Sequence, residues 1–341
     1  MARIALDVMG SDQGVAEIVA GAAHLSCEHQ AIEMMLIGDA AQIQPALEQL
    51  SYNPRYLHIV HTENFVSMDE MPQQARVQKP DASIFKAAQL VREGHADALV
   101  SAGNTGAVIM SCAQHFEIIE GIRRCALAAV YPTEQRHGPK GDPFALMLDV
   151  GATLHVQARD LVGFALMGAA YAQIISDNPQ PKVALLSNGT EPNKGAPEVV
   201  EAHAILSQIE DLNFIGNVEG LDIPKGTADV IVCEGFMGNV SLKMLEGVTE
   251  VAVELAKDAY ARKFLWRLGL SMLSKGLRQL QSMTDWKQYG GAPLLGFSSL
   301  AIKAHGRSNR RAIRNAVKVA AKAVEGGLVD RIHEQLSKVP E

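Results

Sequence analysis

The sequence predicts an α/β protein with a mostly parallel sheet and helices on both of its faces. Short, continuous apolar runs alternate with stretches of helical periodicity along nearly all of the 341 residues. Strands buried on both faces read in this way. Several runs pass through glycine and small polar residues straight into a helix, as βα units do. The composition, 48% hydrophobic and 20% charged, is that of an ordinary globular body. The length allows two domains or one large body with a sizeable core.

The first apolar run, 4–8, makes a strand almost at the first residue. It leads into Asp7, Gly10, Asp12 and Gly14. Two carboxylates and two glycines in so short a turn suit either a ligand's polar groups or the fixing of a loop. Asp12 is a candidate substrate contact. Helical spacing follows over 15–26, then strands over 34–37 and 57–60. A polar loop carries Arg76 and Lys79, cations that either meet an anion or are solvated. Pro80, Asp81, Ala82 and Ser83 start the next helix, over 82–93. Lys79 and Ser83 join the candidate phosphate contacts.

A strand over 97–100 then reaches Ser101, Ala102, Gly103, Asn104, Thr105, Gly106 and Ala107, where a helix begins that runs to about residue 119. The first N–H groups of a helix have no internal partner, and its dipole adds partial positive charge there. Glycine lets the backbone approach an anion closely. Gly103, Asn104, Thr105 and Gly106 are therefore candidate phosphate-binding residues. The alternative is a capped turn with no ligand.

Strands follow over 126–130 and 144–148, the second ending in Asp149, Val150, Gly151, Ala152 and Thr153. After a helix over 161–175, the strand at 183–186 runs into a loop with Lys194 and Gly195. A lysine at the carboxyl end of a strand in such a sheet is well placed for an anionic substrate. A helix over 197–208 and a short strand at 214–215 come next. The strand over 229–233 then ends in Glu234, Gly235, Phe236, Met237, Gly238 and Asn239. This repeats the order strand, glycine, asparagine, helix. Asn239 either caps the helix over 240–260 or hydrogen-bonds a substrate oxygen.

Residues 260–283 break the alternation. They hold Arg262, Lys263, Arg267, Lys275 and Arg278 and no acid, with leucines and Trp266 spread over the other side of a helix. This pattern fits an interfacial amphipathic helix or a helix packed on a partner subunit. Trp266, Leu270 and Leu273 are the residues expected to enter a membrane surface. The segment 255–288 is expected to protrude from a single catalytic body spanning 1–341. The last strand, 300–303, leads to His305, beside glycine, lysine and arginine. The helix over 312–325 is preceded and opened by Arg310, Arg311 and Arg314. Like cations at a helix start oppose its dipole, so an acidic partner is one reason for them and a solvated basic face the other.

The net charge of -7 argues against a nucleic-acid binder working through its whole surface. Cys27, Cys112, Cys125 and Cys233 form no CxxC pair and are expected to be buried, reduced thiols. No leader is expected before the first strand, and no apolar run reaches the roughly 18 residues of a membrane span. The expected location is the cytoplasm.

Four motifs stand in order along the chain: 101–107, 235–239 followed by Leu242, Lys243, Glu246 and Gly247, then 289–296 and 302–306. Together they resemble the bacterial phosphate acyltransferases of phospholipid synthesis, over nearly the full length. The first turn departs from the family's Met-Gly-Gly-Asp in carrying Ser11 before Asp12. The resemblance implies transfer of a long-chain acyl group from acyl carrier protein to inorganic phosphate, giving an acyl phosphate. It implies a three-layer α/β/α fold of the isocitrate/isopropylmalate dehydrogenase type, related to phosphotransacetylase. It also implies a homodimer and peripheral attachment to an anionic membrane surface.

Phosphate attacks a thioester directly, so neither a Ser-His-Asp triad nor an acyl-cysteine is needed. The reaction needs an anion cradle, alignment, and donors for the tetrahedral oxyanion. The glycine turn at 103–106 supplies N–H groups, Lys194 neutralises charge, and Asn239 donates to the oxyanion. His305 orients phosphate or assists proton transfer. Arg310, Arg311 and Arg314 are expected to dock acyl carrier protein. No metal or cofactor is expected. The rivals are a phosphotransacetylase-like enzyme using coenzyme A thioesters, a nicotinamide-dependent dehydrogenase, and a non-enzymatic membrane scaffold that binds acyl chains. The dehydrogenase lacks support because the full GxGxxG fingerprint is missing.

Overall fold

The computed structural model describes residues 1–29, 31–262 and 290–338. Its first half holds β1 (Ala2–Asp7), α1 (Gly14–Glu28), β2 (Ile32–Gly38), α2 (Ala40–Glu48), β3 (Leu57–His61), α3 (Pro72–Gln78), α4 (Ser83–Arg92), β4 (Ala98–Ser101) and α5 (Thr105–His115). There follow β5 (Ala126–His137), β6 (Asp142–Leu148), α6 (Ala158–Ile175), β7 (Val183–Leu186), α7 (Pro197–Leu206), β8 (Phe214–Val218), α8 (Asp222–Lys225), β9 (Val230–Val232) and α9 (Gly235–Arg262). The chain closes with β10 (Ala292–Leu295), β11 (Leu300–Lys303), α10 (Arg310–Glu325) and α11 (Leu328–Leu336).

The strands form one sheet in the order β3-β2-β1-β4-β11-β10-β5-β6-β9-β7-β8. The first five run parallel, and so do the last four. The two sets meet through β10 and β5, whose pairings are antiparallel. The sheet is therefore mostly parallel, as expected, but it reverses in the middle. That reversal lets loops from both halves reach one cleft.

One face of the sheet buries α1, α6 and α10, the other α4 and α5. A Cβ on Gly21 would lie 2.8 Å from the Arg310 carbonyl and 3.1 Å from Ile313. Glycine there lets α1 and α10 pack backbone to backbone.

Three differences from the sequence reading have local causes. The strand β10 was not foreseen, because Pro293 and the flanking Gly290, Gly291 and Gly296 read as a turn. The helix α9 begins at Gly235 rather than at 240. The Glu234 carboxylate accepts from the N–H groups of Phe236 (2.5 Å) and Met237 (2.7 Å) and so opens the helix early. Asn239 is thus inside the helix, and its reading as a cap is corrected. The helix α5 ends at His115, short of 119.

Of the cysteines, Cys112 and Cys233 are buried, Cys125 is half-buried, and Cys27 is exposed on the last turn of α1. Burial of all four is corrected at Cys27. Burial pushes the Cys112 and Cys233 thiols up, and Cys125 up to about 11. These three are poor nucleophiles. Trp266, Leu270 and Leu273, and most of the segment 255–288, lie outside the described residues. Among those described, no helix is long and apolar enough to cross a membrane.

Candidate active site

A cleft of about 560 Å3 opens where the two halves of the sheet meet. Its walls are the first turn of α5, the start of β10, the end of β11, the strand β5, the loop after β6 and the face of α9. Thr105, Gly106, Asn239, Lys303 and His305 all line it. Beside them stands an apolar wall that includes Ile109, Leu127, Val130 and Leu242. A polar, cationic end and an apolar side thus share one space.

The glycine turn is built as a helix start, with its parts used differently from the expectation. The Gly103 N–H donates to Ser101 Oγ at 3.0 Å, and that hydroxyl donates to Asp7 Oδ2 at 2.7 Å. Gly103 is buried and does not face the cleft. Asn104 Oδ1 caps α5 by accepting from the Ala107 N–H at 3.1 Å. Its amide donates to the carbonyls of Ser67, Met68 and Glu70, tying down the loop before α3. Both residues shape the turn: the Gly103 N–H and the Asn104 side chain are engaged within the protein. Thr105 and Gly106 are exposed at the positive end of the helix dipole and line the cleft.

Lys79 is likewise engaged within the protein. Its ammonium bonds Glu70 Oε1 at 2.6 Å and the Phe65 carbonyl at 3.2 Å, closing the loop between β3 and α3. Ser83 is 1% exposed and hydrogen-bonds Asp7 from behind the turn. Asp12 is exposed, and its N–H donates to the Gly306 carbonyl at 3.0 Å. It joins the loop after β1 to the loop after β11.

Asn239 projects from α9 beside Gly151: a Cβ on that glycine would sit 3.4 Å from Asn239 Nδ2. The Asn239 side chain is exposed, and none of the hydrogen bonds among the described residues engages it. The loop carrying Gly151 is rigid, because Asp149 accepts from the N–H groups of Leu127, Gly151, Ala152 and Thr153. Burial still draws the Asp149 carboxyl upward against those donors. Opposite, His305 Nδ1 accepts from the Arg307 N–H at 3.1 Å. In the neutral ring the proton then sits on Nε2. Burial, then Lys303 and Arg307, hold this imidazole below its ordinary range, so it is neutral near pH 7.

Lys194 is not brought into this cleft. It is exposed in the loop between β7 and α7, next to Gly195, which lines a second pocket with Ser187, Phe236 and Met237. The start of α9 stands between the two spaces. The arginine cluster is largely neutralised: Arg310 pairs with Glu17 at 2.5 Å and Arg314 with Glu28 at 2.9 Å. That corrects the reason for expecting a partner there, since acids of α1 already offset the charge. Arg311 is exposed, with no carboxylate partner among the described residues.

A hydroxyl–imidazole–carboxylate chain does exist elsewhere. Thr133 Oγ1 lies 2.8 Å from His137 Nε2, and His137 Nδ1 lies 2.7 Å from Asp229. All three are buried, and a Cβ on Gly226 would strike Thr133 at 2.7 Å. This chain anchors the β5–β6 hairpin, and its hydroxyl, on Thr133, is only 4% exposed. Among the described residues no cluster of three or more His, Cys, Asp or Glu side chains is arranged to hold a metal.

The residue that sequence reasoning passed over is Lys303. It ends an apolar strand and drew notice only as a neighbour of His305, yet it is 6% exposed and lines the cleft. The signal was a cation two residues before His305, in register beside Ser101.

A family model described as "Fatty acid synthesis protein" matches residues 2–331. A phosphate acyltransferase of Desulfitobacterium hafniense (strain Y51) is 44% identical over 339 residues, covering 99% of this chain and 98% of the relative. The chain belongs to the phosphate acyltransferase family. A second member of that family, from Dictyoglomus turgidum, is 40% identical over 338 residues, or 99% of this chain and 98% of its own. Among solved structures, a phosphotransacetylase from Streptococcus pyogenes superposes with a TM-score of 0.63 at 20% identity, over 95% of this chain and 94% of that one. The EutD phosphotransacetylase from Staphylococcus aureus gives 0.60 at 17%, with the same coverage. At such identities the likeness concerns the fold. The expected phosphotransacetylase-related architecture is borne out.

Proposed function

We propose that the enzyme transfers a long-chain acyl group from the thioester of acyl carrier protein to inorganic phosphate, releasing an acyl phosphate for phospholipid synthesis. The observation that carries this reading is the joining, in one cleft, of a cationic strand end and a helix N-terminus to an apolar wall. The first suits phosphate, the second an acyl chain. A phosphate oxygen attacks the thioester carbonyl carbon, forming the new C–O bond and a tetrahedral oxyanion. The oxyanion collapses, the C–S bond breaks, and the thiolate of the carrier leaves to take a proton from solvent. Thr105 and Gly106 N–H groups face the phosphate, and Asn239 donates to the oxyanion. His305, neutral near pH 7, orients phosphate through hydrogen bonding.

The test is phosphate-dependent release of thiol from acyl-acyl carrier protein, run beside acyl-coenzyme A. Release that needs phosphate and favours the carrier supports the reading. Preference for coenzyme A supports the phosphotransacetylase-like alternative, and no release in either case leaves the scaffold.

In the same reading Lys194 supplies a second cation from the loop beyond the start of α9. Lys194→Ala is expected to lower kcat while the melting temperature stays put, because the side chain is exposed. A folded variant with wild-type turnover removes Lys194 from the mechanism.

For the carrier, Arg311 is the cation of the cluster left open to an acidic partner. Arg311→Glu is expected to raise KM for acyl carrier protein at low salt, with the difference shrinking as salt is added. An unchanged KM at low salt ends the docking proposal.

The remaining partners are proposed from α9. It exposes Val240, Met244, Val248, Val251 and Leu255 at spacings of three and four, an apolar stripe left open among the described residues. A second copy of the chain fits this stripe, giving the homodimer. The basic, acid-free stretch that follows in the sequence supports peripheral attachment to an anionic membrane from the cytoplasmic side.

A further inference from the structure

Lys303 occupies a position that water barely reaches, and its surroundings do not account for it as a structural ion pair. Its ammonium donates to the Ala304 carbonyl. An ammonium has three donors. Among the described residues no carboxylate stands within salt-bridge distance of it. Asp7 and Asp12 act on it through space, but the Asp7 carboxylate is already engaged by Ser101 Oγ, the Met9 N–H and Ser83. A buried cation without a direct counter-ion is costly, and such groups gather at functional sites.

The placement is specific. In the parallel β11–β4 pairing Lys303 lies opposite Ser101, and the Ala304 N–H donates to the Ser101 carbonyl at 2.8 Å. The lysine therefore ends its strand beside the turn that opens α5. Thr105, Gly106 and Lys303 face the same cleft. A dianion lodged there would meet a helix N-terminus and an ammonium together.

We propose that Lys303 is the residue that carries the charge of the bound phosphate, holding it against the first turn of α5 for attack on the thioester. This rests on the phosphate acyltransferase reading. The Asp7–Ser101 pair beneath keeps the turn and the lysine in fixed relation.

The site has a pH signature. Burial draws the Lys303 ammonium down to about 8, against the pull of Asp7 and Asp12. The other ionisable groups lining the cleft with it are His305 on its own loop and the Lys243–Glu246 pair of α9, bonded at 2.9 Å; Arg307 follows on the same loop and acts on His305. A lysine holds its charge below its pKa. Phosphate affinity is therefore present below about pH 8 and lost as pH rises through that value.

The test compares wild type, Lys303→Met and Lys303→Arg in the intact enzyme. KM for phosphate and for acyl carrier protein thioester is measured on both sides of pH 8, with calorimetric binding of inorganic phosphate alone. Lys303→Met is expected to raise KM for phosphate roughly tenfold to a hundredfold, the worth of a charge-assisted hydrogen bond. KM for the thioester stays near wild type, and the alkaline loss disappears. Lys303→Arg, which does not titrate, is expected to restore much of the phosphate binding with no loss above pH 8. A folded Met variant with wild-type phosphate KM overturns the proposal. So does an Arg variant that keeps the alkaline loss, which judges the proposal even if the Met variant fails to fold. If wild type binds phosphate through Lys303 yet forms no acyl phosphate, the reaction is wrong and the anion site stands.

Discussion

Asn239→Ala is expected to lower kcat by about 10²–10³, the usual loss when one oxyanion donor is removed, with little change in melting temperature. The side chain projects into the cleft from the second turn of α9, and its amide is not needed by any hydrogen bond among the described residues. Removing it opens no cavity in the core and leaves no buried group unpaired. In the proposed mechanism what is lost is the oxyanion donor, so the loss should fall on kcat rather than on KM for either substrate. Turnover and a thermal melt on the same preparation decide this. A folded variant with wild-type kcat takes Asn239 out of the chemistry.

The largest effect on stability is expected one residue earlier. A Cβ on Gly238 would lie 1.8 Å from the Asp149 carbonyl oxygen and 2.9 Å from Cys233 Sγ. Neither neighbour has room to yield: Asp149 is 0% exposed and its carboxylate is held by four backbone N–H groups. Gly238→Ala must therefore push α9 away from the end of β6, a strain beyond the ~1–3 kcal/mol typical of overpacking. The control is Gly247→Ala on the same helix, where nothing lies within 4 Å of the added carbon. That change is expected to stabilise by about 0.5–1 kcal/mol. Denaturant unfolding of the two variants should move in opposite directions. Equal stabilities would mean that α9 does not sit against the Asp149 loop as described.

Fold class was legible because apolar strands and periodic helices alternate with few exceptions. The reversal at β10 was not, since a strand of Ala292, Pro293, Leu294 and Leu295 between glycines carries the marks of a turn. The short helices α3 and α8 escaped for lack of periods to count. In the site, the right loops were visible but the division of labour within them was not. Asn104 and Asn239 look alike in sequence, each following glycine at a strand end. Tertiary contacts separate them: Asn104 is consumed by its cap and by the 67–70 loop, whereas Glu234 opens α9 and frees Asn239. Lys79 was named as a candidate and Lys303 was passed over. The loop lysine found Glu70, and the strand lysine found the cleft. Sequence spacing does not report which carboxylate a cation will meet across 9 or 94 residues of chain.

The central claim is that phosphate itself accepts the acyl group. Incubation of the enzyme with palmitoyl-acyl carrier protein and inorganic phosphate, followed by mass spectrometry of the products, tests it most directly. The expected result is palmitoyl phosphate together with free carrier thiol, formed only when phosphate is present. Palmitic acid released at the same rate without phosphate, and no acyl phosphate with it, would contradict the account.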